Sequence, residues 1–286
     1  MLAFSEPVAE VIRRRTSQRA YLPDRLSDAH RGALEGAIAG LGDAPFASRA
    51  RFVLVEGAAI SGEDLRRFGT YGFIAGAHSF LLGAVREGPG AMVDFGFLFE
   101  QLVLKATELG LATCWLGGTL RRGAIGGFLD AAEDELVPAM SPIGYPPERR
   151  ALRDRIVRWG AGSDGRKPAH ELFFAGDLDH PLELAAVPAL AGPLEAVRRA
   201  PSASNRQPWR VVHDAATGAC HFLLRRTRGY AALVKGIDLQ RIDLGIALAH
   251  FALCAAEAGL PGRLLALAEA PLPLPARTEY VASWIA

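Results

Sequence analysis

Ala200-Pro201-Ser202-Ala203-Ser204-Asn205-Arg206-Gln207-Pro208-Trp209 packs a polar turn and a strand start into ten residues. Pro208 cannot continue a helix and launches the apolar run that follows from Trp209. A turn before a core strand accounts for Pro208 and Trp209; it leaves the string of Ser, Asn and Gln side chains unexplained, which points to a ligand. The same outline occurs earlier. Ala44-Pro45 followed by Arg51-Phe52-Val53-Leu54-Val55 mirrors Ala200-Pro201 followed by Trp209-Arg210-Val211-Val212, but that first copy lacks the Ser, Asn, Gln and Trp.

The echo extends outward. Asp94-Phe95-Gly96 recurs as Asp243-Leu244-Gly245, and sixteen residues after each Asp comes a glycine, in Glu108-Leu109-Gly110-Leu111 and in Glu257-Ala258-Gly259-Leu260. Leu102, Leu104 and Ala106 align with Phe251, Leu253 and Ala255 without a gap. Self-similarity at a fixed offset marks a duplicated unit. The two segments read as equivalent helices, each closed by a glycine suited to a left-handed C-terminal cap. A third segment has no echo: Arg15-Thr16-Ser17-Gln18-Arg19 sits near the start, and nothing after Ala186 resembles it. The loss is complementary, each half keeping one polar motif. This predicts an N-terminal half over residues 1–185 and a C-terminal half over 186–286, with the seam near 185–193.

Apolar periodicity and turn residues predict helices over residues 6–16, 27–41, 73–86, 93–109, 122–129, 193–199 and 243–259. Strands are expected over 52–56, 137–145, 210–213, 221–225, 264–268 and 279–284, giving an α+β fold with a sheet in each half. The Pro-rich stretch 270–275 reads as an arm carrying the last strand to a sheet edge. His78 and His250 fall inside predicted apolar helices and read as core histidines.

Half of the 286 residues are hydrophobic and 22% are charged, with Lys plus Arg exceeding Asp plus Glu by one, 32 against 31. That balance argues against a large field for nucleic acid or an anionic membrane, so any basic site is local. The longest apolar runs, 73–85 and 244–256, are too short for a membrane span and contain a histidine each. The first residues carry Glu6 and Glu10 without an apolar run, unlike a secretory signal. Cys114, Cys220 and Cys254 form no Cys-x-x-Cys pair, which fits a reducing cytoplasm, and Cys114 reads as packing. No glycine-rich nucleotide motif and no metal-ligand spacing is present in the sequence.

Taken together, Arg15 to Arg19 and the 200–209 string resemble the paired motifs of the FMN-dependent nitroreductase family, with the arrangement of its single-chain, pseudo-dimeric branch. In ordinary members a homodimer sets the first motif of one subunit against the second motif of its partner. The resemblance implies the nitroreductase-like fold, two degenerate repeats packed about a pseudo-two-fold axis, and one FMN per chain. It implies that Arg15 and Ser17, with Thr16 beside them, hold the flavin phosphate, and that Arg19 lies nearer the pyrimidine edge. Pro201, Ser202, Ala203, Ser204 and Asn205 would border the ring and its polar edge. The segment Leu116-Gly117-Gly118 would pass over the ring and offer a backbone N–H to N5. Arg166, in Arg166-Lys167-Pro168, resembles the late basic motif of the phosphate pocket, and Tyr71, in 69–73, could border the ring. The activity implied is NAD(P)H-dependent reduction of nitroaromatic, quinone or related electron-poor acceptors by ping-pong hydride transfer through flavin N5, with no catalytic protein side chain required. The alternatives are another redox reaction on the same fold, such as dehydrogenation or dehalogenation, and flavin binding without turnover. The expected partners are a small-molecule acceptor and neither nucleic acid nor membrane, in a monomeric pseudo-dimer or a homodimer. The lid over the site is expected from 121–135 or 159–167.

Overall fold

A computed structural model describes residues 1–56, 74–118, 122–148, 165–229 and 236–286. Two central helices organise it: α3 (Ala91–Glu108) and α6 (Leu239–Glu257), preceded by α1 (Val8–Arg14) and α2 (Asp28–Ala39) and separated by α4 (Arg122–Leu129) and α5 (Pro188–Arg199). Every residue of α3 except Lys105 and Glu108 is buried, and α6 is exposed only near its ends. This explains an apolar character all the way round, where a surface helix would show one stripe. α6 is long and apolar enough to pass as a membrane span, but it is a core helix.

The two helices touch backbone to backbone. A Cβ on Gly96 would fall 2.2 Å from the Ile242 carbonyl oxygen, and one on Gly245 would fall 2.0 Å from that of Val93. Gly96 and Val93 occupy the places in the first segment that Gly245 and Ile242 occupy in the second. The contact is therefore reciprocal, as contacts across a two-fold axis are. Both helices also end alike. The N–H groups of Gly110 and Leu111 bond to Thr107 O and Ala106 O, and those of Gly259 and Leu260 bond to Ala256 O and Ala255 O. These are paired Schellman closures on glycines with φ of 75° and 67°, as the sequence predicts.

Each central helix carries a sheet on its outer side. The first sheet holds β1 (Ala50–Glu56), β2 (Ser79–Arg86), β3 (Ala112–Thr113), β4 (Glu135–Leu136) and β5 (Met140–Gly144), in the order β1-β2-β5-β3 with β4 against β2. The second holds β6 (Phe173–Ala175), β7 (Trp209–His213), β8 (Cys220–Arg225), β9 (Arg263–Leu265) and β10 (Thr278–Ile285), in the order β6-β7-β8-β10-β9. Phe52, Phe95 and Phe99 tie α3 to the first sheet, while Phe222, Phe251 and Trp284 tie α6 to the second.

Several expectations are corrected. The run 73–86 is not a helix: Ser79–Arg86 is a strand paired on one side with β1 and on the other with β5. A strand buried on both faces is a continuous apolar run, which periodicity cannot separate from a buried helix. His78 precedes that strand and is exposed, whereas His250 is fully buried as expected. The last strand is not at an edge, because β10 lies between β8 and β9. The short strands β3, β4 and β6 went unseen, being two or three residues long. Because β6 pairs with β7 in the second sheet, a boundary after residue 185 does not coincide with a boundary between sheets. α5 begins at Pro188 rather than 193 and α6 at Leu239 rather than 243, the latter because Asp238 caps it by accepting from Arg241 N at 3.2 Å.

Arg51 on β1 clamps the end of α4 and β4. It donates to both Glu135 carboxylate oxygens at 2.7 and 2.8 Å and to Leu129 O at 2.7 Å. The Arg51 hydrogen bond lowers the Glu135 pKa from 4.5 to about 2. A depressed carboxylate lends stability above its unfolded pKa and loses it as pH falls through the folded one. Glu135→Gln is therefore expected to be less stable than wild type at neutral pH, by about 1 kcal/mol or less because the pair is partly exposed. The gap should close as the pH falls from 4.5 to about 2, which urea midpoints across that window will show.

Candidate cofactor site

α1 ends at Arg14, two residues before the predicted end, and Arg15 leaves it with φ −57° and ψ 122°. The chain then runs extended beside the first sheet: Ser17 bridges Thr113, and Gln18 N donates to Thr113 O at 2.8 Å. This sets Arg15, Thr16, Ser17 and Arg19 next to the segment that follows β3. From the other half, the 200–209 string joins α5 to β7. The two motifs, far apart in sequence, line one cleft of about 340 Å³.

Of the thirteen expected site residues, twelve line that cleft: Arg15, Thr16, Ser17 and Arg19 on one side, and Pro201, Ser202, Ala203, Ser204 and Asn205 on the other, with Gly117, Gly118 and Arg166 completing it. Leu116 does not line it. Its N–H donates to Met140 O and its carbonyl accepts from Met140 N, both at 2.9 Å, so Leu116 has no N–H left for a ligand. The side chain of Leu116 packs instead among the core around Met140 and Val137. Tyr71 lies outside the described residues, as do residues 121 and 159–164 of the two expected lids.

The polar side chains of the string do structural work of their own. Ser202 Oγ accepts from Gln207 N at 2.8 Å, and Gln207 Oε1 accepts from Lys167 N at 2.8 Å. Asn205 Oδ1 accepts from Arg166 Nη1 at 3.0 Å, and its Nδ2 donates to Gly165 O at 2.6 Å. Asn205 and Gln207 thus fasten the 165–167 strap across the cleft. Ser204, Asn205 and Gln207 all have φ near +50°, namely 49°, 52° and 50°. Non-glycine residues rarely adopt this left-handed form, and its concentration in one loop marks a surface shaped for a ligand.

The cleft is electropositive. Among the described residues, Arg13, Arg15, Arg19, Arg166, Arg198 and Arg199 line it, against one acid, Asp243. Arg13 pairs with Glu10, and Arg198 and Arg199 share Glu195. Arg15, with 8% exposure, has its Nε 3.9 Å from Glu100 Oε1. Glu100 is fully buried and also accepts from Trp115 Nε1 at 2.7 Å, while His250 Nε2 lies 2.9 Å from its Oε1. That network stiffens Arg15 and Trp115 beside the cleft. Guanidinium groups give charge-assisted, often bidentate bonds to anions, so this end of the cleft has the chemistry to hold one.

The sequence reasoning missed one wall. Leu239, Ile242, Asp243 and Ile246 face the cleft from α6, and Trp115 and Ala139 from the first half. The spacing of these α6 residues is that of one helix face, a signal that was readable once α6 was known to begin at Leu239. Cys114, Cys220 and Cys254 are all buried, and burial pushes the Cys220 and Cys254 thiols up to about 12, so these two are packing groups at neutral pH.

The family model described as "Putative TM nitroreductase" matches residues 7–255. The chain belongs to this nitroreductase family. It is an oxidoreductase with the nitroreductase-like fold. Among solved structures, a nitroreductase of Thermotoga maritima is 21% identical, with 100% of this chain and 96% of that one covered at a TM-score of 0.61. Nitroreductases with bound FMN from Desulfitobacterium hafniense and Bacteroides fragilis are each 22% identical. They cover 51% and 52% of this chain, and 93% and 92% of their own, at TM-scores of 0.41 and 0.43. No curated protein sequence matches the chain.

Proposed function

We infer that this nitroreductase binds one FMN per chain, between its two halves, and uses NAD(P)H to reduce small electron-poor acceptors such as nitroaromatics or quinones. The observation that carries the reading is convergence: the only copy of each polar motif comes from a different half, and both line the same cleft. The reciprocal packing of Gly96 on Ile242 and Gly245 on Val93 supports a single-chain pseudo-dimer. A lone cofactor per chain follows, because each half lacks the other's motif.

The residues present fit the group. Arg15 and Arg166 supply cations for a phosphate monoester, Ser17 adds a hydroxyl, Arg19 offers a cation to the pyrimidine edge, and Leu239, Ile242 and Ile246 offer an apolar wall for a planar ring. Bound FMN would supply two-electron chemistry, accepting a hydride from a nicotinamide and passing it on. The protein's part is binding, orientation and electrostatics: guanidinium groups favour an electron-rich ligand, and close walls keep water out. No protein acid or base is assigned. The near-neutral overall charge and the buried cysteines support a cytoplasmic enzyme that engages neither nucleic acid nor membrane.

The test is the visible spectrum of the purified protein with released flavin counted per chain, then anaerobic mixing with NADH or NADPH. About one FMN per chain and loss of the flavin band with one of the two nicotinamides is expected. Two FMN per chain would break the complementary-halves reading, and an intact band with both nicotinamides would remove the nicotinamide step.

A further inference from the structure

The internal repeat supplies its own control for one residue. Asp94 and Asp243 occupy equivalent places at the starts of the two segments, and each reaches the turn that precedes a strand. In the half without the polar string, Asp94 is fully used: Oδ1 accepts from Phe46 N at 3.0 Å and Oδ2 from Ser48 N at 2.8 Å. In the half with the string, Asp243 Oδ1 accepts from Ala203 N at 2.8 Å, but Oδ2 has no partner among the described residues, although the residue is only 3% exposed. Among the described residues, Asp243 is also the only acid lining the cleft.

A buried carboxyl oxygen without a protein partner is costly, and native proteins satisfy such groups with a ligand, an ion or ordered water. Asp94 is a loop fastener with both oxygens filled. Asp243 keeps one bond to the loop and leaves the other oxygen for something else. Among its cleft neighbours on α6, Leu239, Ile242 and Ile246 are apolar, so Asp243 is the single polar group on that wall.

We propose that Asp243 is a cofactor-binding residue whose Oδ2 hydrogen-bonds a hydroxyl of the polyol chain joining the phosphate of FMN to its ring. This rests on the FMN reading above. A hydroxyl both donates and accepts, so it satisfies a carboxyl in either protonation state. Burial, reinforced by Asp238, pushes the Asp243 carboxyl well above the usual range, which suits a neutral group beside a bound ligand. The charged groups facing the same space are the arginines of the cleft, Arg13, Arg15, Arg19, Arg166, Arg198 and Arg199. By holding Ala203 N with one oxygen and the ligand with the other, Asp243 couples the shape of the left-handed loop to occupancy of the cleft.

The experiment measures the dissociation constants of FMN and riboflavin for the flavin-free protein, comparing wild type with D243N and D243L. Thermal midpoints without ligand are recorded alongside. Asp243→Leu is expected to weaken FMN and riboflavin alike, by about tenfold or more, since both carry the polyol. Asp243→Asn keeps an acceptor for Ala203 N and a donor for the hydroxyl, so its loss should be about threefold or less, with an unchanged midpoint. Isotope-edited infrared spectra of aspartate-labelled protein should show a carboxyl band that shifts when riboflavin binds and is missing from D243N. Wild-type affinity in D243L, or weakening of FMN alone, overturns the proposal. So does a carboxyl band that ignores riboflavin, because a residue that only fastened the loop would weaken binding without that shift. A wild-type protein that takes up neither flavin would instead overturn the FMN reading itself.

Discussion

Gly245→Ala is expected to cost about 3 kcal/mol or more of stability, a large share of what a domain of this kind possesses. The reason is geometric. The added Cβ would lie 2.0 Å from Val93 O and 2.9 Å from Phe97 N, both backbone atoms of α3 that cannot swing aside as a side chain would. Two helices buried almost throughout must then separate, opening the core that both sheets share. Gly96→Ala should do the same from the other side, with its Cβ 2.2 Å from Ile242 O. Gly32→Ala makes the contrast. It lies in the exposed part of α2 with nothing near its Cβ, and should stabilise by about 0.5–1 kcal/mol through helix propensity and reduced chain freedom. Urea titrations of the three variants give the measurement. Equal small effects would mean that α3 and α6 are not in backbone contact.

Arg15→Met is expected to weaken FMN binding about a hundredfold, roughly 2.7 kcal/mol, as loss of a charge-assisted phosphate contact would. It should also lower the stability of the flavin-free protein by about 3 kcal/mol, because Glu100 would lose the guanidinium beside it in a fully buried place. The two effects can be separated. Adding Glu100→Gln to Arg15→Met removes the buried charge while keeping a partner for Trp115 Nε1, so stability should return most of the way while affinity should not. Fluorescence titration with FMN and thermal melts of the single and double variants read this out. If affinity returned with stability, Arg15 would act only through the fold.

Much of this protein was legible as a string because the features concerned are local. A glycine after a helix leaves the same mark wherever it occurs, and so Gly110 and Gly259 closed their helices as read. Asn205 and Pro208 likewise belong to a contiguous string whose composition a plain turn did not need. A duplicated offset is also a one-dimensional object, so the correspondence of Asp94 with Asp243 required no coordinates. What was lost was non-local. The run ending at Arg86 became a strand only because β1 and β5 lie on its two sides; apolar residues alone do not say whether their neighbours are a turn away or a sheet away.

The site divides in the same way. The sequence by itself determined the family, the existence of two complementary motifs and twelve of the residues that line the cleft, since those motifs are short and contiguous. Only the tertiary structure decided that both motifs open into one cleft and that Leu116 turns away because Met140 takes its backbone. It also decided that Asn205 and Gln207 hold a strap and that one oxygen of Asp243 is left over. Hydrogen-bond satisfaction is a property of three-dimensional neighbours. Asp94 and Asp243 are the same residue in matching contexts, and what distinguishes them is whether a second backbone N–H arrives at the other oxygen.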